Sequence, residues 1–200
     1  MLLERLQTHL ETIYGIRCAL RAKDFLLDQQ QALLLGASGR SREELLVAGG
    51  GEGLELGLYL HPELLAPKDL GAFCEAAEGV SHFVYLTRSA ELERRVSLLE
   101  LEAQAEVDKF AICALGRWDS RRADAFEVTF EQIFDQVRYR DSLTGDELDR
   151  YREANRLARA FCARLLPILA ARSLERLLAV LRYCYRLGSK AKLEHLGGAR

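Results

Sequence analysis

The sequence predicts an α+β protein that is mostly helical, in which a small N-terminal helix and a β-hairpin pack on a C-terminal helical bundle. In one short segment leucines alternate with other residues, as they do in a half-buried strand. Over most of the remaining chain apolar residues recur every three or four positions, as they do in amphipathic helices. The chain has 200 residues, of which 49% are apolar, and this is enough for one hydrophobic core.

The N-terminal third contains the first helix and the hairpin. A helix is predicted over residues 2–13, because its apolar residues alternate at three- and four-residue spacing, and Gly15 is expected to end it. Residues 16–35 show no clear period, and residues 36–41 have the composition of a loop. The segments ELLVAG and LELGLYL flank GGEG, which predicts two strands joined by a glycine-rich turn.

From Pro67 onward the sequence predicts only helices. Pro67 suits a first helical position, and Gly79 is expected to kink or end the helix that begins there. Thr144 and Glu147 form a capping box, Pro167 is expected to break the following helix, and Ser173 is a candidate N-cap. The predicted helices cover residues 67–78, 91–115, 122–139, 144–166 and 173–188. We expect residues 1–66 to form a small α/β part, 67–188 the bundle and 189–200 a frayed tail, all within one compact domain.

Several classes of protein are not expected. The N-terminus MLLERLQTHLE has no apolar signal core, and no apolar run is long enough to span a membrane. The five cysteines include no C-x-x-C pair, so neither a disulfide framework nor a cysteine zinc site is expected. Buried, reduced thiols and a cytoplasmic location are the natural expectation.

The glycine-rich segment GGGEGLELG does not predict a phosphate-binding loop. A Walker loop needs Gly-Lys followed by Ser or Thr, and a dinucleotide site needs a helix after the glycines. Here a second strand follows, so turn formation explains the glycines. No cofactor is therefore expected.

The predicted central helix has two apolar stripes on opposite sides, which is typical of a helix packed on both faces. Two polar stripes run between them. The first polar stripe contains Glu102, Glu106, Lys109 and Cys113, and the second contains Glu100, Gln104 and Asp108.

The first polar stripe suggests a site. Buried carboxylates are costly unless they are paired or bind a metal ion. Glu78 and His82 lie four residues apart and share a helix face if the helix continues through Gly79. Together with Glu102 and Glu106 they are weak candidates for a metal or acid–base site between two helices. The alternative is that Glu102 and Glu106 form salt bridges with Lys109 on a surface that reaches solvent, and that His82 is structural.

The net charge of −2 conceals an asymmetry. Residues 150–200 contain twelve basic and three acidic residues, a charge of +9, so residues 1–149 carry −11. Part of the basic charge falls on the polar faces of the last two predicted long helices, where it predicts binding of an anionic partner. The candidate residues are Arg152, Arg156, Arg159, Arg172, Arg176, Arg182, Tyr183 and Arg186. The alternative is a solvated face that pairs with the acidic part of the chain.

Three functions remain open. The first hypothesis is a non-catalytic interaction, adaptor or regulatory protein, with self-association left open, because no catalytic motif is present and the charge is polarised. The second is a nucleic-acid-binding protein that uses the arginine faces, although no DNA- or RNA-binding motif supports it. The third is an enzyme that uses the carboxylate–histidine residues, although we expect no catalysis on balance.

Overall fold

The structure is a computed structural model that describes residues 1–50, 53–137, 139 and 143–198, and it has the predicted mostly helical α+β class. One hydrophobic core connects the N-terminal part with the bundle. The strands are β1 (Leu26–Leu27), β2 (Glu43–Gly50) and β3 (Gly53–Leu60). The helices are α1 (Leu2–Tyr14), α2 (Gln29–Leu34), α3 (Pro62–Leu65), α4 (Leu70–Glu91), α5 (Leu98–Gly116), α6 (Ala125–Phe134), α7 (Gly145–Ala163), α8 (Leu166–Ala170), α9 (Leu174–Arg186) and α10 (Ser189–Gly197).

The N-terminal helix and the hairpin are confirmed. Gly15 adopts the left-handed conformation and ends α1, as expected of a glycine at this position. Strands β2 and β3 pair antiparallel with Leu45 opposite Leu58, and β1 adds to β3 in parallel. The sheet order is β1-β3-β2. The predicted turn residues Gly51 and Glu52 lie outside the described residues.

Helix α4 differs from its prediction in two ways, at its first residue and at Gly79. It begins at Leu70 rather than Pro67, because the Asp69 carboxylate caps it by accepting a hydrogen bond from the backbone of Ala72 at 2.8 Å. It also runs unbroken through Gly79 to Glu91, so the predicted interruption is wrong.

Helix α5 is the central helix, and it starts later than predicted. Residues 92–97 connect it to α4, and Ser97 begins it through a capping box with Glu100. Helix α5 packs against α4, α6 and α7, which confirms the interpretation of its two apolar stripes. Leu98, however, is exposed at the start of one stripe.

The later helices keep the predicted order with shifted ends. The capping box of Thr144 and Glu147 starts α7, as predicted. Helix α6 ends at Phe134, well before the predicted residue 139, and residue 138 lies outside the described part. Pro167 lies in the first turn of α8, where a missing N–H costs nothing.

The chain end was expected to fray, but Ser189–Gly197 form helix α10. This helix packs on α7, and it buries Lys192 and Leu196 completely. The tail prediction failed because its burial depends on partners from distant parts of the chain. Among the described residues, we find no helix with the length and apolarity that a membrane crossing requires.

Candidate functional site

A buried polar cluster lies where α4, α5 and β2 meet. The first polar stripe of α5 faces α4 and supplies Glu102, Glu106 and Lys109 to it. Helix α4 contributes Glu78 and His82, and β2 contributes Glu43. The four residues predicted as a site, Glu78, His82, Glu102 and Glu106, are therefore brought together.

His82 lies between two carboxylates. Its Nε2 atom is 3.4 Å from Oε2 of Glu102, and its Nδ1 atom is 3.4 Å from Oε1 of Glu43. The side chain of His82 is only 7% exposed. Burial alone would lower the pKa of His82, but the two carboxylates raise it well above its ordinary value.

Gly79 explains how a strand residue reaches the histidine. A Cβ atom at this position would lie 2.8 Å from Cγ of Glu43 and 2.9 Å from Cδ2 of Leu60. The glycine thus lets the sheet approach α4 closely enough for Glu43 to contact His82 one turn later.

Lys109 is shared by two other carboxylates of the cluster. Its Nζ atom donates to Oε2 of Glu78 at 2.9 Å and to Oε1 of Glu106 at 2.8 Å. Burial opposes the charged ammonium, but the carboxylates of Glu106 and Glu78 raise the pKa of Lys109 well above its usual value. Burial raises the pKa of the Glu106 carboxyl. A cation already occupies this end of the cluster.

The other end of the cluster is less well satisfied. Among the described residues, no hydrogen-bond partner is found for His82 Nε2, Glu43 Oε1 or Arg150 Nε, although all three atoms are buried. Arg150, on α7, approaches Glu102 only to 3.8 Å. Buried polar atoms without partners are rare in native proteins, and a bound water molecule or ion is one explanation for them.

Two cavities border the cluster. A cavity of about 690 Å³ is lined by Glu78, Glu106 and Lys109, among other residues. A second cavity of about 340 Å³ is lined by His82, Glu102 and Arg150, and Glu43 contributes to both. The larger cavity has the size of a small-molecule site.

The alternative prediction for the first polar stripe is only partly right. Lys109 does pair with Glu106, but Glu102 contacts His82 and Arg150 instead of Lys109. The side chains of Glu102, Glu106 and Lys109 are 9%, 13% and 11% exposed, so this is not a surface that reaches solvent.

The second polar stripe of α5 forms a different network, buried beneath α10. Gln104 donates to Asp108 at 2.7 Å and to the Tyr14 hydroxyl at 3.0 Å, and it accepts from Lys192 at 2.7 Å. Ser81 also donates to Asp108, at 2.6 Å.

Lys192 connects this network to Glu100. Its ammonium donates to the Tyr85 hydroxyl at 2.6 Å, and Tyr85 donates to Glu100 at 2.5 Å. Burial lowers the pKa of Lys192 to about 8 and raises the pKa of Asp108 to about 6. We refer to Tyr14, Ser81, Tyr85, Glu100, Gln104, Asp108 and Lys192 together as the closed network.

The predicted arginine surface is largely engaged within the molecule. Arg156 pairs with Glu153 and Arg159 with Asp135, both at 2.7 Å, and Arg152 lies 3.9 Å from Asp149. The pairing of Arg159 on α7 with Asp135 follows the alternative prediction, in which basic helices meet acids from the first part of the chain.

Two arginines of α9 and its N-terminal connection bind backbone carbonyl groups. Arg182 donates to Ile13 at 2.9 Å and to Thr12 at 3.1 Å, at the C-terminal end of α1. Arg172 donates to the carbonyls of Trp118 and Ser120. Such contacts are favourable because a positively charged side chain satisfies carbonyl groups that have no partner within their own helix or turn.

Arg176, Arg186 and Tyr183 keep exposed side chains. Tyr183 is 59% exposed and touches His195 edge to face. Neither Arg176 nor Arg186 makes an ion pair or hydrogen bond with any residue of the described part of the chain. Of the eight residues predicted to bind an anionic partner, these three remain most available.

Sequence reasoning missed Glu43, Arg150 and the closed network. Glu43 carries no local signal, since it is one of two glutamates at the start of a strand. Gly79 was the available signal, because a glycine inside a helix can mark close approach by another backbone or side chain. The prediction at this glycine was instead a kink or the end of the helix.

Comparisons with protein-family models, curated proteins and solved structures find no match for this chain. The functional argument therefore depends on the geometry of the site alone.

Proposed function

We propose that the protein binds one divalent metal ion through Glu78, His82 and Glu102 and uses it for chemistry on a small molecule in the adjoining cavity. The observation that carries the proposal is the buried Nε2 atom of His82, which has no hydrogen-bond partner among the described residues and points toward Glu102. The three side chains each offer one ligand atom, and these atoms lie within 4.8 Å of one another.

The spacing of these atoms is compatible with a metal ion. Ligand atoms that surround a tetrahedral ion at about 2.1 Å lie about 3.4 Å from one another. His82 Nε2 and Glu102 Oε2 are separated by 3.4 Å without forming a hydrogen bond. Two carboxylates with one imidazole suit Zn²⁺, Mn²⁺ or Fe²⁺, and three protein ligands leave a coordination position open.

Glu43 has the position of a carboxylate that orients a metal-binding histidine without binding the metal itself. Metal-binding histidines usually place their second nitrogen against a carboxylate, which fixes the orientation of the ring. Glu43 faces Nδ1 of His82 at 3.4 Å, on the side away from Glu102. Binding of a cation would displace the proton that His82 otherwise holds between the two carboxylates.

The residues around the cavity suggest the type of chemistry. A divalent ion held by Glu78, His82 and Glu102 would supply a Lewis acid for a substrate oxygen or a water molecule. Of the three proposed ligands, Glu78 lines the larger cavity. Glu106 and Lys109 also line it and can hold or transfer a proton there. We therefore propose metal-assisted hydrolysis or proton transfer as the reaction class, and the cytoplasm remains the predicted location.

Calorimetric titration tests the proposal. Full-length protein is treated with a chelator, dialysed and titrated separately with Zn²⁺ and Mn²⁺. We expect one site per chain, with an affinity at least tenfold weaker in His82→Gln, because the variant loses the imidazole ligand.

The matched control is His61→Gln. His61 also lies near a glutamate, with 3.7 Å between its Nδ1 atom and Glu63, but its side chain is 41% exposed. It should leave the titration unchanged. Absence of a stoichiometric site in the wild type, or equal loss in both variants, would contradict the proposal.

The interaction function is a second proposal, and the three exposed residues of α9 support it. We propose that Arg176, Tyr183 and Arg186 form the part of the basic surface that could bind an anionic partner. Phosphate contacts would make binding to an oligonucleotide weaken steeply with salt. Gel-shift assays at low salt with wild type and with Arg176→Glu/Arg186→Glu test it, and an unshifted wild type would rule out nucleic acid.

A further inference from the structure

Helices α4 and α5 face each other through a series of paired side chains. Lys109 pairs with Glu78 at 2.9 Å, and Glu102 faces His82 at 3.4 Å. The numbers rise along α5 as they fall along α4, so the two helices run antiparallel. The cluster thus forms successive side-chain pairs across one helix interface.

The same spacing brings two cysteines together. Cys74 precedes Glu78 by four residues, and Cys113 follows Lys109 by four, so each lies one helical turn beyond an existing pair. An interaction between the Cys74 and Cys113 thiols agrees with this register. Both side chains are partly exposed, and Cys74 lines the larger cavity.

The two thiols have different environments. The hydrogen bond from Cys74 lowers the pKa of Cys113, and the nearby charges of Arg117 and Lys109 act in the same direction, although burial opposes them. The same hydrogen bond and burial raise the pKa of Cys74. By contrast, burial raises the pKa of Cys18 and of Cys184 to about 11.

We propose that Cys74 and Cys113, both partly exposed, form a reversible disulfide between α4 and α5 when a hydroperoxide reaches this end of the helix interface. The Cys113 thiolate attacks the peroxide oxygen, the O–O bond breaks, and Cys113 becomes a sulfenic acid while the alkoxide takes up a proton. The Cys74 sulfur then attacks the Cys113 sulfur, the S–O bond breaks, and water leaves with the Cys74 proton. In total, two thiols and one hydroperoxide give one disulfide, one alcohol and one water.

This inference is independent of the proposed metal ion, although both concern the same helix pair. A bridge between α4 and α5 would close a long loop and hold together the two helices that carry Glu78, His82 and Glu102. We expect the melting temperature of the oxidised protein to rise by about 5 °C or more, because the crosslink restricts the unfolded chain.

Mass spectrometry of the reduced, full-length wild type tests the inference. The protein is exposed to one equivalent of hydrogen peroxide, quenched with catalase, unfolded and alkylated with N-ethylmaleimide. We expect three labelled cysteines in place of five, a peptide crosslinked through Cys74 and Cys113, and five labelled cysteines again after dithiothreitol.

Three variants assign the roles. Cys74→Ser should accumulate a sulfenic acid at Cys113 that dimedone traps, Cys113→Ser should resist oxidation, and the control Cys18→Ser should behave like wild type. A bridge between any other pair would overturn the inference. So would five labelled cysteines in oxidised wild type, or unchanged oxidation in Cys113→Ser.

Discussion

The two polar stripes of α5 carry similar side chains into the interior but end in different states. The second stripe joins the closed network, in which Lys192, Gln104 and Asp108 each have direct hydrogen-bonded partners. The first stripe joins the cluster around His82, where buried atoms of His82, Glu43 and Arg150 lack such partners among the described residues and two cavities adjoin them.

On this difference we base a structural role for the closed network and the function proposed for the cluster around His82. A buried network in which every group has a partner contributes rigidity. Loss of one member leaves the others without a partner in an interior of low dielectric constant, which is costly. A network with orphaned atoms carries an energetic cost that a ligand can relieve. Burial alone therefore does not distinguish the two stripes, whereas their surroundings do. Three buried atoms beside the first stripe lack partners among the described residues, and beside the closed network the Tyr185 hydroxyl lacks one.

The largest expected effect comes from breaking the closed network at its centre. Gln104→Leu removes the partner shared by Lys192, Tyr14 and Asp108, so a buried ammonium and a buried carboxylate each lose a hydrogen bond. We expect a loss of roughly 3–5 kcal/mol in the free energy of unfolding, measured with urea.

The matched change in the cluster around His82 is Glu102→Gln. It keeps the shape of the side chain and removes no hydrogen bond between the described residues. We expect a smaller loss in the free energy of unfolding than in Gln104→Leu, because the carboxylate that is removed lies 3.4 Å from His82 and 3.8 Å from Arg150 and forms no complete hydrogen bond with either. Equal losses in Gln104→Leu and Glu102→Gln would remove the distinction between the two stripes.

The next effect is a dependence of stability on pH that belongs to the closed network. Lys192 has a pKa of about 8 in the folded state, against the usual 10.5, so above pH 8 the folded state holds fewer protons than the unfolded state. Stability should therefore rise with pH, by about 2 kcal/mol between pH 8 and pH 10.

Tyrosine and cysteine ionisation contributes in the same pH range, so the informative quantity is the difference between wild type and Lys192→Met. The difference in unfolding free energy between the two proteins should change by about 2 kcal/mol between pH 8 and pH 10. Parallel stability curves for the two proteins would show that Lys192 does not titrate as the buried environment requires.

A smaller effect is expected at Gly79, where the sheet approaches α4 and brings Glu43 to His82. Gly79→Ala places a methyl group 2.8 Å from Cγ of Glu43, which outweighs the usual benefit of alanine in a helix. We expect a loss of about 1–2 kcal/mol in stability and weaker metal binding. The control Gly116→Ala meets nothing within 4 Å and should be neutral or stabilising, so a similar result in both variants would refute this account of Gly79.

The smallest effect separates the arginines of α9. Arg182→Ala loses hydrogen bonds to the carbonyls of Thr12 and Ile13 and should cost about 1 kcal/mol. Arg186→Ala should cost less than about 0.5 kcal/mol, since it lacks such contacts within the described part of the chain. Thermal denaturation of both variants measures the difference, and an inverted order would argue against the assigned roles.

Local signals in the sequence were sufficient for much of the fold. The capping box at Thr144, the left-handed Gly15 and the alternation of the hairpin each depend on residues close together in the chain. The grouping of Glu78 with His82 and of Glu102 with Glu106 was also predictable, because four-residue spacing places side chains on one helix face.

Contacts between distant segments were not predictable in this way. Lys192 sits in a segment that looks like a solvated tail until Tyr85 and Gln104 are placed around it. Glu43 joins the cluster only because Gly79 admits the sheet. Completeness of hydrogen bonding around the two stripes is a property of the tertiary structure and has no counterpart in the sequence pattern.

Anomalous X-ray diffraction from crystals grown with zinc tests the central claim most directly. The account predicts one strong zinc peak at about 2.1 Å from Nε2 of His82 and at about 2.0–2.2 Å from a carboxylate oxygen of Glu78 and of Glu102. It predicts no peak at the closed network around Lys192. Absence of a peak at His82, or a peak bound only by other residues, would contradict the account.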